Sequence, residues 1–122
     1  MNTNEEINWE QLALVIGDEN DPGDEEMKDL YRLFVDDAGR RLGTLVSSVG
    51  TRERVFIARE AHKIRGAASS FGFDHVAEIL RLVETQINDL SQERLDDMLR
   101  GAVEVFQASI RGVARKFPGL AA

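Results

Sequence analysis

Cysteine is absent from the 122 residues, which removes a disulfide framework, a zinc-finger ligand set and any thiol nucleophile. Proline occurs only at Pro22 and Pro118, so little interrupts helical periodicity between them. No apolar run approaches the ~20 residues of a membrane span, and no membrane association is expected. The N-terminus, MNTNEEINWE, has neither a basic start nor an apolar core and does not read as a secretory signal. Basic charge is in deficit: 15 Lys and Arg face 22 Asp and Glu, a net charge of −7. A nucleic-acid binder presents a basic surface that displaces counterions from phosphates, so this balance argues against one. A cytoplasmic setting suits a cysteine-free chain, and the Met1 start is taken as that of a free protein.

What is present suffices for one domain, spanning 1–122 with a core from about 7 to 117. Apolar residues recur at three- and four-residue steps almost throughout, and no stretch alternates with period two. A short first helix is expected over Trp9–Ile16, with Asn8 as N-cap, Gly17 as stop and Trp9, Leu12, Ala13 and Ile16 as its buried stripe. The acidic stretch Asp18–Asp24 reads as a loop. A second helix is expected over about Asp24–Val49, with Met27, Leu30, Tyr31, Phe34, Ala38, Leu42, Leu45 and Val49 facing inward. Gly39 and Gly43 each cost about 1 kcal/mol there and predict a bend or break. Three further helices follow, over Arg52–Ser70, over Asp74–Asn88 with Asp74 as cap, and from Ser91 as cap to about Phe117. Short connections make neighbouring helices antiparallel. The expected fold is all-α: an antiparallel up-down four-helix bundle with a short additional N-terminal helix.

Charge is concentrated in one place. Between Arg52 and Arg65 lie five basic residues (Arg52, Arg54, Arg59, Lys63, Arg65) and two acids (Glu53, Glu60), with His62 inside the run. On the third helix Ile57, Ala61, Ile64, Ala68 and Phe71 form the packing stripe. A second stripe, roughly 140° around the cylinder, carries Ala58, His62, Arg65, Gly66 and Ser69. Gly66 has two readings. It is either a close helix–helix crossing or a clearance beside an exposed imidazole, and its place off the core stripe favours the second. Unprotonated imidazole is a competent nucleophile, and like-charge repulsion from Arg65 and Lys63 favours that form. Arg65, one turn on, is placed to pair with phosphoryl oxygens, while Lys63 points about 100° away and shapes the field.

The segment His62-Lys63-Ile64-Arg65-Gly66-Ala67-Ala68-Ser69-Ser70-Phe71-Gly72-Phe73 resembles the phosphorylation-site segment of histidine-containing phosphotransfer (HPt) domains. That pattern reads His, any residue, an aliphatic, Lys or Arg, Gly, small residues, then an apolar residue and Gly. INWEQLALVIGDEN is similar to the family's short leading helix and LYRLFVDDAGRRLGTL to its second, so the likeness spans about residues 7–115. The resemblance implies that His62 is the phosphoacceptor through Nε2 and that Arg65, with Lys63 nearby, stabilises the phosphoryl group. It further implies that Gly66, with Ser69, gives partners access. Glu84, 22 residues after His62, stands where some relatives place a Glu or Gln against Nδ1; a solvated carboxylate is the other reading. Near Gly39 many members carry proline. The implied partners are response-regulator receiver domains and a hybrid or sensor histidine kinase, with no nucleic acid and no membrane, and with the chain a monomer. No cofactor is implied in this chain, the Mg²⁺ being expected in the receiver.

Alternatives fit less well. His75 follows Asp74 at a helix start, lacks a basic neighbour and reads as surface. The spacing His75-x-x-Glu78 stands without a second motif, so no metal site is expected. There is no GxxxxGK[ST] loop for ATP, which argues against a kinase. The dimerisation region of a sensor kinase would have an acid after the histidine and Pro five residues on, where this chain has Lys63 and Ala67. A helical adaptor that binds a receiver without exchanging phosphate remains. Leu14 and Val15 lie off the first helix's buried stripe and are a docking patch or are covered by the acidic loop.

Overall fold

A computed structural model of the chain describes residues 7–17 and 25–121. Five α-helices and no strand occur among them: α1 Trp9–Ile16, α2 Glu25–Ser48, α3 Arg54–Ser70, α4 Asp74–Gln86 and α5 Gln92–Lys116. The expected acidic loop lies outside the described residues. Two of the predicted caps form. Asn8 Oδ1 accepts from the Gln11 N–H at 3.0 Å, and Ser91 Oγ accepts from the Arg94 N–H at 3.0 Å. Asp74 is instead the first helical residue of α4, whose N-cap is Phe73 with no side-chain cap. α3 starts at Arg54 and not Arg52, because the N–H groups of Thr51 and Arg52 turn back to the Ser48 carbonyl. A 3₁₀ turn over Pro118–Ala121, absent from the expectation, follows α5.

α2 packs on α3, α3 on α4, α4 on α5 and α5 on α2, around one core. The expected break in α2 does not occur: its 24 residues are one helix through Gly39 and Gly43. Tyr31, Phe34, Ala38, Leu42 and Leu45 are all buried along it. Burying a large apolar side chain yields roughly 1.5–3 kcal/mol, more than each glycine costs. Leu30 departs from the expected stripe and is 44% exposed. Met27 and Val49 are half-buried. On α1, Leu12 and Ile16 are fully buried, whereas Trp9 lies at the edge with the Lys116 ammonium 5.3 Å from its ring centre. Leu14 is 81% exposed, but Val15 packs partly against the core.

An aromatic cluster fixes the C-terminal end of α3. Phe71 stacks on Phe34 at 4.7 Å between ring centres, and Phe73 meets Phe34 edge-on at 5.1 Å. Between them Gly72 turns the chain with φ +78°, a left-handed value. Its carbonyl accepts from the Asn8 N–H at 2.7 Å, and the Gln11 amide donates to the Ser70 carbonyl at 2.9 Å. A Cβ on Gly72 would fall on the Asn8 carbonyl oxygen. α1 is thereby latched to the α3–α4 turn, and that latch holds the register of α3, on which the candidate site stands.

Candidate functional site

Ile57, Ala61, Ile64 and Ala68 hold α3 by one buried stripe, so its opposite side faces outward. His62 is 66% exposed there, and Gly66 and Ser69 continue the exposed line. A Cβ built on Gly66 would meet nothing within 4 Å. No helix among the described residues crosses at that point, so the close-crossing reading of Gly66 does not hold. Gly43 and Gly101 are equally open; what distinguishes Gly66 is its place one turn from an imidazole.

α4 brings Glu84 against the ring. Its Oε1 lies 2.8 Å from His62 Nδ1, and its Oε2 accepts from Arg65 Nε in a short hydrogen bond. Burial pushes the Glu84 carboxyl up, but the hydrogen bonds from Arg65 and His62 outweigh burial and hold the acid below its usual range. An ionised carboxylate only accepts, so the Nδ1 facing it carries a hydrogen. Arg65 Nη2 also lies 3.1 Å from Nδ1. A protonated nitrogen cannot accept from it, so that approach is an edge contact and no second hydrogen bond. In the neutral ring the lone pair then resides on Nε2, which has no partner among the described residues.

The two cations nearest in sequence are both engaged. Arg65 sits on the Nδ1 side, tied to Glu84. Lys63 Nζ lies 3.4 Å from Glu60 Oε2, on the side of α3 that faces α2. Glu60 also accepts from Arg41 of α2 at 2.8 Å, and Arg41 in turn is held by Asp37 at 2.9 Å. Sequence reasoning missed Glu60 and Arg41 as parts of this network; the Glu60-x-x-Lys63 spacing was its available signal.

Two clefts flank α3 near the imidazole. One, of about 540 Å³ between α2 and α3, is lined by Leu33, Phe34, Lys63, Ile64 and Ala67 among others. The other, of about 330 Å³ between α3 and α4, is lined by Arg65, Ser69, Asp74, Ala77, Glu78 and Arg81. His62 lines neither. Small-molecule substrates are usually taken into concave pockets. A side chain exposed outside such pockets is reached more readily by another macromolecule. His75 is half-buried at the start of α4, away from this arrangement in sequence. Among the described residues no group of three or more His, Cys, Asp or Glu side chains could hold a metal ion, and no helix is long and apolar enough to cross a membrane.

In comparison with known families, the family model described as Hpt domain matches residues 29–114. Neither curated proteins nor solved structures gave a match. The aligned region runs from the first turns of α2 to near the end of α5 and contains His62, Arg65, Gly66, Ser69 and Glu84. An exposed imidazole with one nitrogen fixed against a carboxylate, on a helical bundle matched over most of its length, identifies the chain as a member of the Hpt-domain family.

Proposed function

We propose that this chain is a histidine phosphotransfer protein of a two-component phosphorelay, carrying a phosphoryl group on His62 between aspartates of receiver domains. The contact between His62 Nδ1 and Glu84 carries the reading, because it leaves Nε2 with its lone pair directed away from the carboxylate. In the accepting step Nε2 forms a bond to phosphorus while the acyl-phosphate P–O bond breaks, its electron pair leaving with the donor carboxylate. The ring gains positive charge, which Glu84 at 2.8 Å compensates. Donation to the next aspartate is the reverse. Little covalent chemistry is asked of the protein beyond position and charge, so a small constellation suffices.

The proposed roles follow. His62 is the phosphoacceptor, Glu84 orients the imidazole, and Arg65 keeps Glu84 ionised while adding positive field beside the ring. Lys63 contributes field from the α2 side, and Gly66 and Ser69 leave clearance for the partner. The divalent ion is expected from the receiver. The short turns support reading the whole chain as one antiparallel up-down bundle with α1 appended. With its core filled from within the chain, we read it as a cytoplasmic monomer serving receivers and a hybrid or sensor kinase.

Incubation with a phosphorylated receiver tests this directly. The chain gains acid-labile, alkali-stable phosphate, and His62→Gln abolishes the gain. Binding to the receiver with no label on the wild-type chain would instead make it an adaptor. Label persisting on the His62→Gln variant would overturn the assignment of the acceptor.

A further inference from the structure

Glu84 stands in the last turn of α4, which ends at Gln86. A helix end leaves its last carbonyls without intrahelical partners and is where a helix frays. The side chain that meets His62 Nδ1 is therefore mounted on the least secure part of its own helix. α4 has no basic residue in that turn to secure it. Beyond it, the N–H groups of Asp89 and Leu90 both turn back to the Gln86 carbonyl. The support comes from α3. Arg54, its first helical residue and a member of the basic run that ends in Arg65, is half-buried. Its Nη1 donates to the Ile87 and Leu90 carbonyls, each at 2.6 Å. A guanidinium Nη carries two hydrogens, one for each carbonyl. The same group sets a full positive charge at the negative end of the α4 dipole.

We propose that Arg54 is a positioning residue of the site: by capping the end of α4 from α3, it holds Glu84 against Nδ1 and keeps the lone pair of the ring on Nε2. The proposal rests on His62 being the phosphoacceptor and adds to it what secures the orienting acid. His62 lies about two turns beyond Arg54 on the same helix. Ile87 follows Glu84 within one turn. The cap and the site thus join the same two helices, and slack in the cap reaches the carboxylate as lost register against the ring. A misplacement of about 1 Å, arising away from the chemistry, is enough to slow a reaction strongly.

The test uses the full-length chain with ¹⁵N-labelled histidine, at a pH where the ring is neutral. Wild type shows Nδ1 protonated and Nε2 bare. Arg54→Met keeps an apolar stem and removes the donors and the charge. Its Nδ1 signal moves toward the bare-nitrogen position as the second tautomer is populated, and transfer from a phosphorylated receiver slows roughly threefold or more. Arg54→Lys keeps the charge without the fork and gives an intermediate shift. Val113→Ala, a buried change where α5 meets α2, lowers stability and leaves the ring signals in place. A wild-type ring bare at Nδ1 overturns the role of Arg54, as does an equal shift in Val113→Ala. So do wild-type signals in Arg54→Met, or in Arg54→Lys where circular dichroism shows Arg54→Met unfolded. The acceptor is tested separately with phosphoramidate, a small donor whose P–N bond breaks and whose ammonia leaves as the Nε2–P bond forms. Absence of that label on His62 in the wild-type chain overturns the acceptor, whatever the ring signals show.

Discussion

Glu84 makes two contacts with linked consequences: Arg65 keeps the acid ionised, and the ionised acid fixes the hydrogen on Nδ1. Replacing it with Gln keeps the shape, removes the charge and releases Arg65. A charge-assisted hydrogen bond contributes about 1.5 kcal/mol or more. Glu84→Gln is therefore expected to slow phosphotransfer roughly tenfold while the fold persists. Rapid-quench transfer from a phosphorylated receiver measures it; an unchanged rate would mean that orientation of the ring is set by packing alone. Both nitrogens of the ring matter here, and in the proposed relay only the outer one acts as the nucleophile.

At the scale of the element, α3 is a helix held on one side and bare on the other. Gly66 weakens it for no packing return, since a side chain there meets open space. Gly66→Leu is expected to raise stability by about 0.5–1 kcal/mol through helix propensity. The same variant is expected to block transfer from a receiver while labelling by phosphoramidate continues. Denaturant titration and the two labelling reactions together check this. Normal transfer would show that partners approach elsewhere. Much of α3 was legible beforehand, because Ile57, Ala61, Ile64 and Ala68 keep a strict periodicity that only a helix with one buried face satisfies. The same was true of α1 and α5, whose Asn8 and Ser91 caps announce themselves in the residue type. What periodicity could not supply was interplay between helices. The pairing of Lys63 with an acid that Arg41 also holds depends on how α2 meets α3, and the contact of Glu84 with the imidazole on how α4 does. The unbroken α2 was misjudged for a related reason: glycine propensity is a local quantity, and the burial that outweighs it belongs to the packed bundle.

Across the whole molecule, the depressed Glu84 acid links the site to stability. The sign follows from proton counting. Between the folded value and the higher unfolded one, near 4.3, the unfolded chain binds more protons, so stability rises with pH. The contribution is complete above the unfolded value and is lost as pH falls through the folded one. Urea unfolding across the acid range is expected to show this slope, and Glu84→Gln to flatten it. Glu78 is also held below its usual range, chiefly by its hydrogen bond from Arg81, but it is exposed and salt screens it. High salt should therefore remove the part due to Glu78 and spare much of the part due to Glu84. A slope unaltered in Glu84→Gln would place the acid sensitivity in other carboxylates.

The open position of His62 has a consequence for timing in the proposed relay. With 66% of the side chain exposed, the described residues do not keep water from a group perched there. Dryness has to be lent by a visitor whose own surface closes over the ring. Speed of exchange then belongs to the pair and changes from one visitor to the next. Endurance between visits belongs to this chain alone, and the side chains around one imidazole are all it has to set that clock.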